Sequence, residues 1–191
     1  KAGILKSGIP AVVGEMPLEL RPIFTSKTEY VVFAEDTLGA DYEFELKGYC
    51  QDKNKKTILA AAELLKKEFD IKEENIVEGL KNVVELTSLM GRWQKLSSAP
   101  LTIADTGHNV AGMQYIVSQI ADIKASAKRL VIGMVGDKDI TSMLKLLPKD
   151  AIYYFCNAQI PRALPAEELK AKASEFGLKG NAYPSVAEAL E

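Results

Sequence analysis

From about Met90 onward the apolar positions switch period in a regular way. Short apolar runs at residues 101–105, 130–134 and 152–156, with a weaker one at 180–183, read as strands. Between them apolar residues recur at helical spacing over about 110–123, 140–147 and 165–176, and again from Val186 onward. Strands alternating with helices of this length predict βαβ units. The expected fold class is therefore α/β, a Rossmann-like and mainly parallel sheet with helices on both faces. Before Met90 the pattern is more mixed. Residues 9–14 read as a strand stopped by a glycine, and residues 30–33 as a short β segment. Residues 42–46 alternate aromatic and acidic side chains, which predicts a half-exposed strand. Ile58, Leu59, Ala62, Leu65 and Phe69 line one face of a helix over about 52–69, and a second helix is expected over 72–82. The mostly uncharged stretch 83–90 is expected to be a hinge, dividing the chain into 1–88, a smaller α/β piece, and 89–191.

Residues 101–112 hold the most suggestive chemistry. The apolar run breaks into Asp105, Thr106, Gly107, His108 and Asn109, then Met113, Ile116, Val117 and Ile120 resume at helical spacing. Five polar or small residues thus fall on a strand-to-helix turn. In an open parallel sheet such a turn lies at the carboxyl ends of the strands, where ligands bind. The helix N-terminus beyond it suits an anion. His108 is the one histidine of the chain. A plainer reading stays open, in which Asp105 or Asn109 caps the helix and His108 is a surface residue. A second glycine-bearing turn, 133–139, ends in Asp137, Lys138 and Asp139 and is expected on the same sheet edge. Arg92, between Gly91 and Trp93, reads either as a solvated arginine or as a bidentate clamp for phosphate or carboxylate.

Composition narrows the classes. The 191 residues carry 24 Lys and Arg against 26 Asp and Glu, a net charge of −2. That balance gives nucleic acid or a membrane surface no support as a main partner. The charge is unevenly spread: residues 1–88 have 12 basic and 16 acidic side chains, residues 89–191 have 12 and 10. The second part is thus slightly the better suited to an anionic ligand. Cys50 and Cys156 have no metal or redox spacing, as expected of free thiols in a reducing, cytoplasmic setting. There is no P-loop pattern and no G-x-G-x-x-G. The chain opens on Lys1-Ala2-Gly3 without a methionine, and a longer parent protein is expected.

Taken together, Gly91-Arg92-Trp93, Pro100, Asp105-Thr106-Gly107-His108-Asn109 and Asp137-Lys138-Asp139 resemble the C-terminal domain of folylpolyglutamate and dihydrofolate synthases, within the Mur ligase superfamily. Lys1-Ala2-Gly3-Ile4-Leu5-Lys6 is similar to a segment near the end of that family's central ATPase domain. Gly48, Gln51 and Asn54 match a helix start, and Pro161-Arg162-Ala163 a further segment. The sequence departs at Gly107, where the family usually has alanine, and at Gln94, where it often has glutamate.

The resemblance implies a division into the end of the central domain, 1–88, and most of the C-terminal domain, 89–191. It implies an ATP-dependent ligase that joins L-glutamate to folate or dihydropteroate through an acyl phosphate, with ATP and Mg2+ as cofactors. The parent protein is expected to be a monomer. Lys1 would act as a carbamylated magnesium ligand and Arg92 would neutralise phosphate charge. Asp105 and His108 would reach ATP or glutamate across an interdomain cleft, with Lys138 a weaker candidate there. The P-loop would lie upstream, so the isolated chain is expected to be inactive. Two other readings stay open: a ligase of the superfamily acting on cell-wall precursors, and a non-catalytic nucleotide or amino-acid binding module.

Overall fold

The computed structural model describes residues 2–38, 40–136, 139–157 and 160–191. The chain divides into two compact units, residues 1–105 and 106–191.

The first unit begins with β1 (Ala11–Val13), α1 (Arg21–Thr25) and β2 (Val31–Phe33). β1 and β2 pair in parallel, Ala11 opposite Val31 and Val13 opposite Phe33. The Arg21 guanidinium lies 4.4 Å from the Phe33 ring centre and grips Asp36 at 2.7 and 2.8 Å. This fork-to-fork bond holds the Asp36 carboxyl below the usual carboxylate range. The helices α2 (Gln51–Leu65), α3 (Glu73–Lys81) and α4 (Val83–Thr87) follow. Leu59 of α2 packs with Ile76 and Leu80 of α3 and with Phe44.

Residues 42–46 are not a strand, although Tyr42, Phe44 and Leu46 do turn a common side to this cluster. The segment is tied to helix ends instead of to a ladder. The Glu45 N–H donates to the Leu80 carbonyl at 3.0 Å, and its carboxylate accepts from the Val84 N–H at 2.7 Å. Five of the eight residues of the expected hinge, 83–87, form the helix α4.

After α4 come β3 (Gln94–Ser98) and β4 (Leu101–Ala104), an antiparallel hairpin with Gln94 opposite Ala104 and Ser98 opposite Leu101. The register slips by one between Lys95 and Ser97, a bulge that leaves Leu96 exposed. The turn contains a cis Ala99–Pro100 bond. The run 101–105 was expected in the parallel sheet, and among the described residues its ladder partner is β3. Pairing with the strand just before it closes a far shorter loop than a crossover would.

The second unit runs α5 (Val110–Asp122), β5 (Arg129–Ile132), α6 (Ile140–Leu146), β6 (Ile152–Cys156), α7 (Ala166–Ser174), β7 (Lys179–Tyr183) and α8 (Val186–Leu190). Its sheet has the order β5-β6-β7, parallel throughout. The alternation read from the sequence is therefore present, and the class is mixed α/β. Tyr153 and Phe155 of β6, fully buried, share one sheet face with Leu130 and Ile132. That face forms a single core with Met113 of α5, Met143 and Leu144 of α6, and Leu169 and Ala173 of α7. The Tyr153 hydroxyl donates to the Pro148 carbonyl at 2.6 Å, and burial raises its pKa. Tyr154 and Tyr183 stack on the other face with ring centres 5.6 Å apart.

Candidate functional site

The site candidates fall on two short turns. The first lies at the open end of the β3–β4 hairpin. Gly91 and Trp93 both have left-handed backbones, with φ of 69° and 49°. Glycine adopts that conformation freely, whereas a tryptophan does so only when its surroundings impose it. Two side chains supply the constraint. The Gln94 side-chain oxygen accepts the Gly91 N–H at 3.0 Å, and the Asp105 carboxylate accepts the Trp93 N–H at 2.7 Å. Because Gln94 opposite Ala104 is the last rung of the ladder, Trp93 and Asp105 stand where the next rung would be. The carboxylate thus satisfies an N–H left over where the strand pairing ends. Between the two held residues sits Arg92, an exposed side chain whose guanidinium also approaches the Gly91 carbonyl at 3.5 Å. Gly91 itself is buried.

The second turn, residues 106–109, opens α5 in the second unit. Asn109 has an extended backbone, and its side-chain oxygen accepts the Gly112 N–H at 2.7 Å. Asn109 is therefore the helix cap, a role the sequence left open between it and Asp105. The fit at Gly112 is tight: a Cβ there would lie 3.3 Å from the Asn109 side-chain oxygen. His108 is exposed, and its Nδ1 lies 3.2 Å from the Thr106 carbonyl oxygen. A carbonyl only accepts, so Nδ1 carries the proton in this contact. In the neutral ring, Nε2 is then the basic nitrogen.

The 133–139 turn is described only in part. Asp139 caps α6, accepting the Ser142 N–H at 3.1 Å. Hydrogen bonding to Ser142, followed by the charge of Lys145, holds its carboxyl below the usual value. Lys1, Asp137 and Lys138 lie outside the described residues. Among the described residues, no group of three or more His, Cys, Asp or Glu side chains could hold a metal ion. No helix among them is long and apolar enough to cross a membrane. Cys156 is buried, and burial pushes its thiol pKa up, which makes it a packing residue rather than a nucleophile.

The structure thus brings Arg92 and Asp105 to one hairpin end and puts His108 on the helix start that follows. In the sequence Gln94 stands out only as a departure from a motif. Its role could have been suspected from its place next to the Gly-Arg-Trp turn, within reach of the Gly91 N–H.

Comparison with known proteins gives this geometry a context. The dihydrofolate synthase/folylpolyglutamate synthase of Escherichia coli is 29% identical over the full chain, which covers 47% of that protein. The folylpolyglutamate synthase of Lacticaseibacillus casei is 25% identical over 86% of the chain and 45% of its own length. The chain therefore spans less than half the length of either relative. A crystal structure of the bifunctional folylpolyglutamate synthase/dihydrofolate synthase of Yersinia pestis, complexed with AMPPNP and a Mn ion, superposes with a TM-score of 0.75. It is 25% identical, and the match covers 99% of this chain and 48% of that one. The Mycobacterium tuberculosis folylpolyglutamate synthase complexed with ADP has the same fold, with a TM-score of 0.78 at 20% identity over 94% of this chain and 46% of its own. Residues 91–191, from the start of the Gly-Arg-Trp turn onward, match the family described as Mur ligase, glutamate ligase domain, and the chain belongs to that family.

Proposed function

We propose that this chain forms part of an ATP-dependent ligase that attaches L-glutamate to folate or dihydropteroate by an amide bond. In this reading residues 1–88 close the central nucleotide-binding domain and residues 89–191 form the glutamate ligase domain. The observation that carries the reading is the held Gly91-Arg92-Trp93 turn, which begins the stretch matched to the glutamate ligase family. The relatives support the substrates. One E. coli structure is of FolC with DHPP and ADP, and a Y. pestis structure holds Mn, AMPPNP and L-glutamate.

The chemistry asks for what Arg92 offers. The substrate carboxylate attacks the γ-phosphorus of ATP, ADP leaves, and an acyl phosphate forms. The glutamate amine then attacks the acyl carbon, loses a proton and expels phosphate. Each step moves negative charge over phosphate oxygens, and a guanidinium fork neutralises it with two parallel hydrogen bonds. His108, with Nε2 as its basic nitrogen, is suited to accept a hydrogen bond from the ammonium of glutamate or from the ribose of ATP. Magnesium, the metal proposed here, would neutralise phosphate charge. The described residues contain no cage for it, and only Lys1, as a carbamate, is proposed as a ligand from this chain.

The test is glutamate-dependent ADP release by the ligase that contains this chain. Arg92→Ala is expected to lower kcat/KM about 100-fold, in line with roughly 3 kcal/mol for a charged group acting on a developing anion. Unchanged turnover in Arg92→Ala, or ADP release indifferent to glutamate and folate, would overturn the reading.

A further inference from the structure

Asp105 invites a direct role at a ligand because it is charged, exposed and next to the turn that bears His108. Its geometry says something different. One carboxylate oxygen holds the Trp93 N–H at 2.7 Å, at the position where the hairpin ladder runs out. On the other side of Arg92, the Gln94 side chain holds the Gly91 N–H at 3.0 Å. The two held residues are the ones with left-handed backbones, 69° at Gly91 and 49° at Trp93. A bulky aromatic residue keeps such a conformation only where its neighbours over-determine it. A carboxylate on the amide is a strong way to do so, because the acceptor is ionised.

We propose that Asp105 and Gln94 are positioning residues that clamp the backbone on both sides of Arg92. They fix where the guanidinium stands before an anionic group arrives. The inference rests on the reading of Arg92 as a phosphate-binding group. It also accounts for Gln94: the position needs a side-chain oxygen acceptor, which glutamine and glutamate supply equally. An Arg92 on a loose turn would have to be ordered on binding, whereas a clamped one is ordered in advance.

An amide oxygen can replace a carboxylate oxygen toward an N–H but not toward a cationic ligand group, so Asp105→Asn separates the clamp from a contact to the glutamate ammonium, and the double variant separates it from a contact to a hydroxyl of ATP. The variants are Asp105→Ala, Asp105→Asn, Gln94→Met, Gln94→Glu and Arg92→Ala in the full ligase. Each is measured for kcat and KM for ATP, and for hydrogen exchange of the 91–93 amides by mass spectrometry. Asp105→Ala should raise exchange at the Trp93 amide about tenfold or more and cut kcat/KM about tenfold. Asp105→Asn should recover most of both losses. Gln94→Met should loosen the Gly91 amide while Gln94→Glu protects it. The double variant Arg92→Ala/Asp105→Ala should be no slower than Arg92→Ala alone, since a positioning residue has nothing left to position.

An Asp105→Asn enzyme as slow as Asp105→Ala, or additive losses in the double variant, would assign Asp105 to the ligand and overturn the clamp. Unchanged exchange at residue 93 in Asp105→Ala would overturn it whatever the activity. Should Asp105→Ala fail to fold, the Gln94 pair decides the matter on the other side of the turn. Normal activity in Arg92→Ala is a different failure: it removes the phosphate reading of Arg92, while the exchange data still report whether the clamp exists.

Discussion

His108 and Asn109 are neighbours with separable tasks, and substitution tells them apart. The exposed His108 ring meets the carbonyl of Thr106 in its own turn, through Nδ1 at 3.2 Å. Asn109 satisfies an N–H at the start of α5. Asn109→Ala should therefore cost about 1 kcal/mol of stability, the usual worth of a cap. His108→Ala should leave the melting temperature unchanged but lower turnover in the intact ligase about tenfold or more. A lower melting temperature with normal turnover in His108→Ala would make His108 part of the turn's structure only. Asp139 makes a test by pH. Its folded carboxyl is held below the unfolded value, so its contribution to stability is complete above that value, about 3.9. It fades as pH falls through the folded value, because the unfolded chain then binds the proton more readily. Melting curves should show wild type above Asp139→Asn at pH 7, with the gap closing below about pH 4. A gap constant down to pH 2 would contradict this.

The elements after residue 105 were legible because β5 and β6 are dense apolar runs between helical periods, while β7, Lys-Gly-Asn-Ala-Tyr, shows only weakly. β6 is the clearest, with Tyr153, Phe155 and Cys156 all buried. β3 was not legible. Its residues Gln-Lys-Leu-Ser-Ser have one large apolar member, Leu96, and that residue sits exposed at the bulge. With β3 unseen, β4 had no visible local partner and was read into the parallel sheet. The segment 42–46 erred the other way: period-two burial is a property of any extended chain against a core, with or without a ladder beside it. Glycine at 180 carries a sharper meaning than its composition suggests. β7 runs so close to β6 that a Cβ at residue 180 would fall 1.9 Å from the Tyr153 carbonyl oxygen and 2.7 Å from its Cβ. Gly180→Ala must therefore push two paired strands apart. The expected loss is about 1–3 kcal/mol or more, seen as an earlier urea midpoint. Gly79→Ala, inside α3, is the control, since nothing beyond its chain neighbours and its own helix backbone lies within 4 Å of a Cβ there. Equal midpoints for Gly180→Ala and wild type would refute the close approach.

At the scale of the whole chain, the candidate residues stand out in the sequence one by one, but the hydrogen bonds each of them makes do not. Sequence spacing puts Arg92, Asp105 and His108 within 17 positions, yet which of them holds backbone and which meets ligand depends on hydrogen bonds that spacing does not encode. The hairpin that carries Arg92 and Asp105 raises the same question for the domains. It packs as part of the unit that ends at Asp105, although the family match already begins at Gly91. The core of the second unit speaks to what that unit needs. Its residues run from Val110 to Leu178, after the hairpin, and among the described residues the parallel sheet is made of β5, β6 and β7. A two-stranded hairpin has little stability of its own. Residues 106–191 expressed alone should therefore fold with a cooperative melting transition, and residues 89–191 should melt within a few degrees of it. If 106–191 proves unfolded while 89–191 folds, the hairpin is structurally part of the ligase domain, and the core seen after residue 106 is not sufficient by itself.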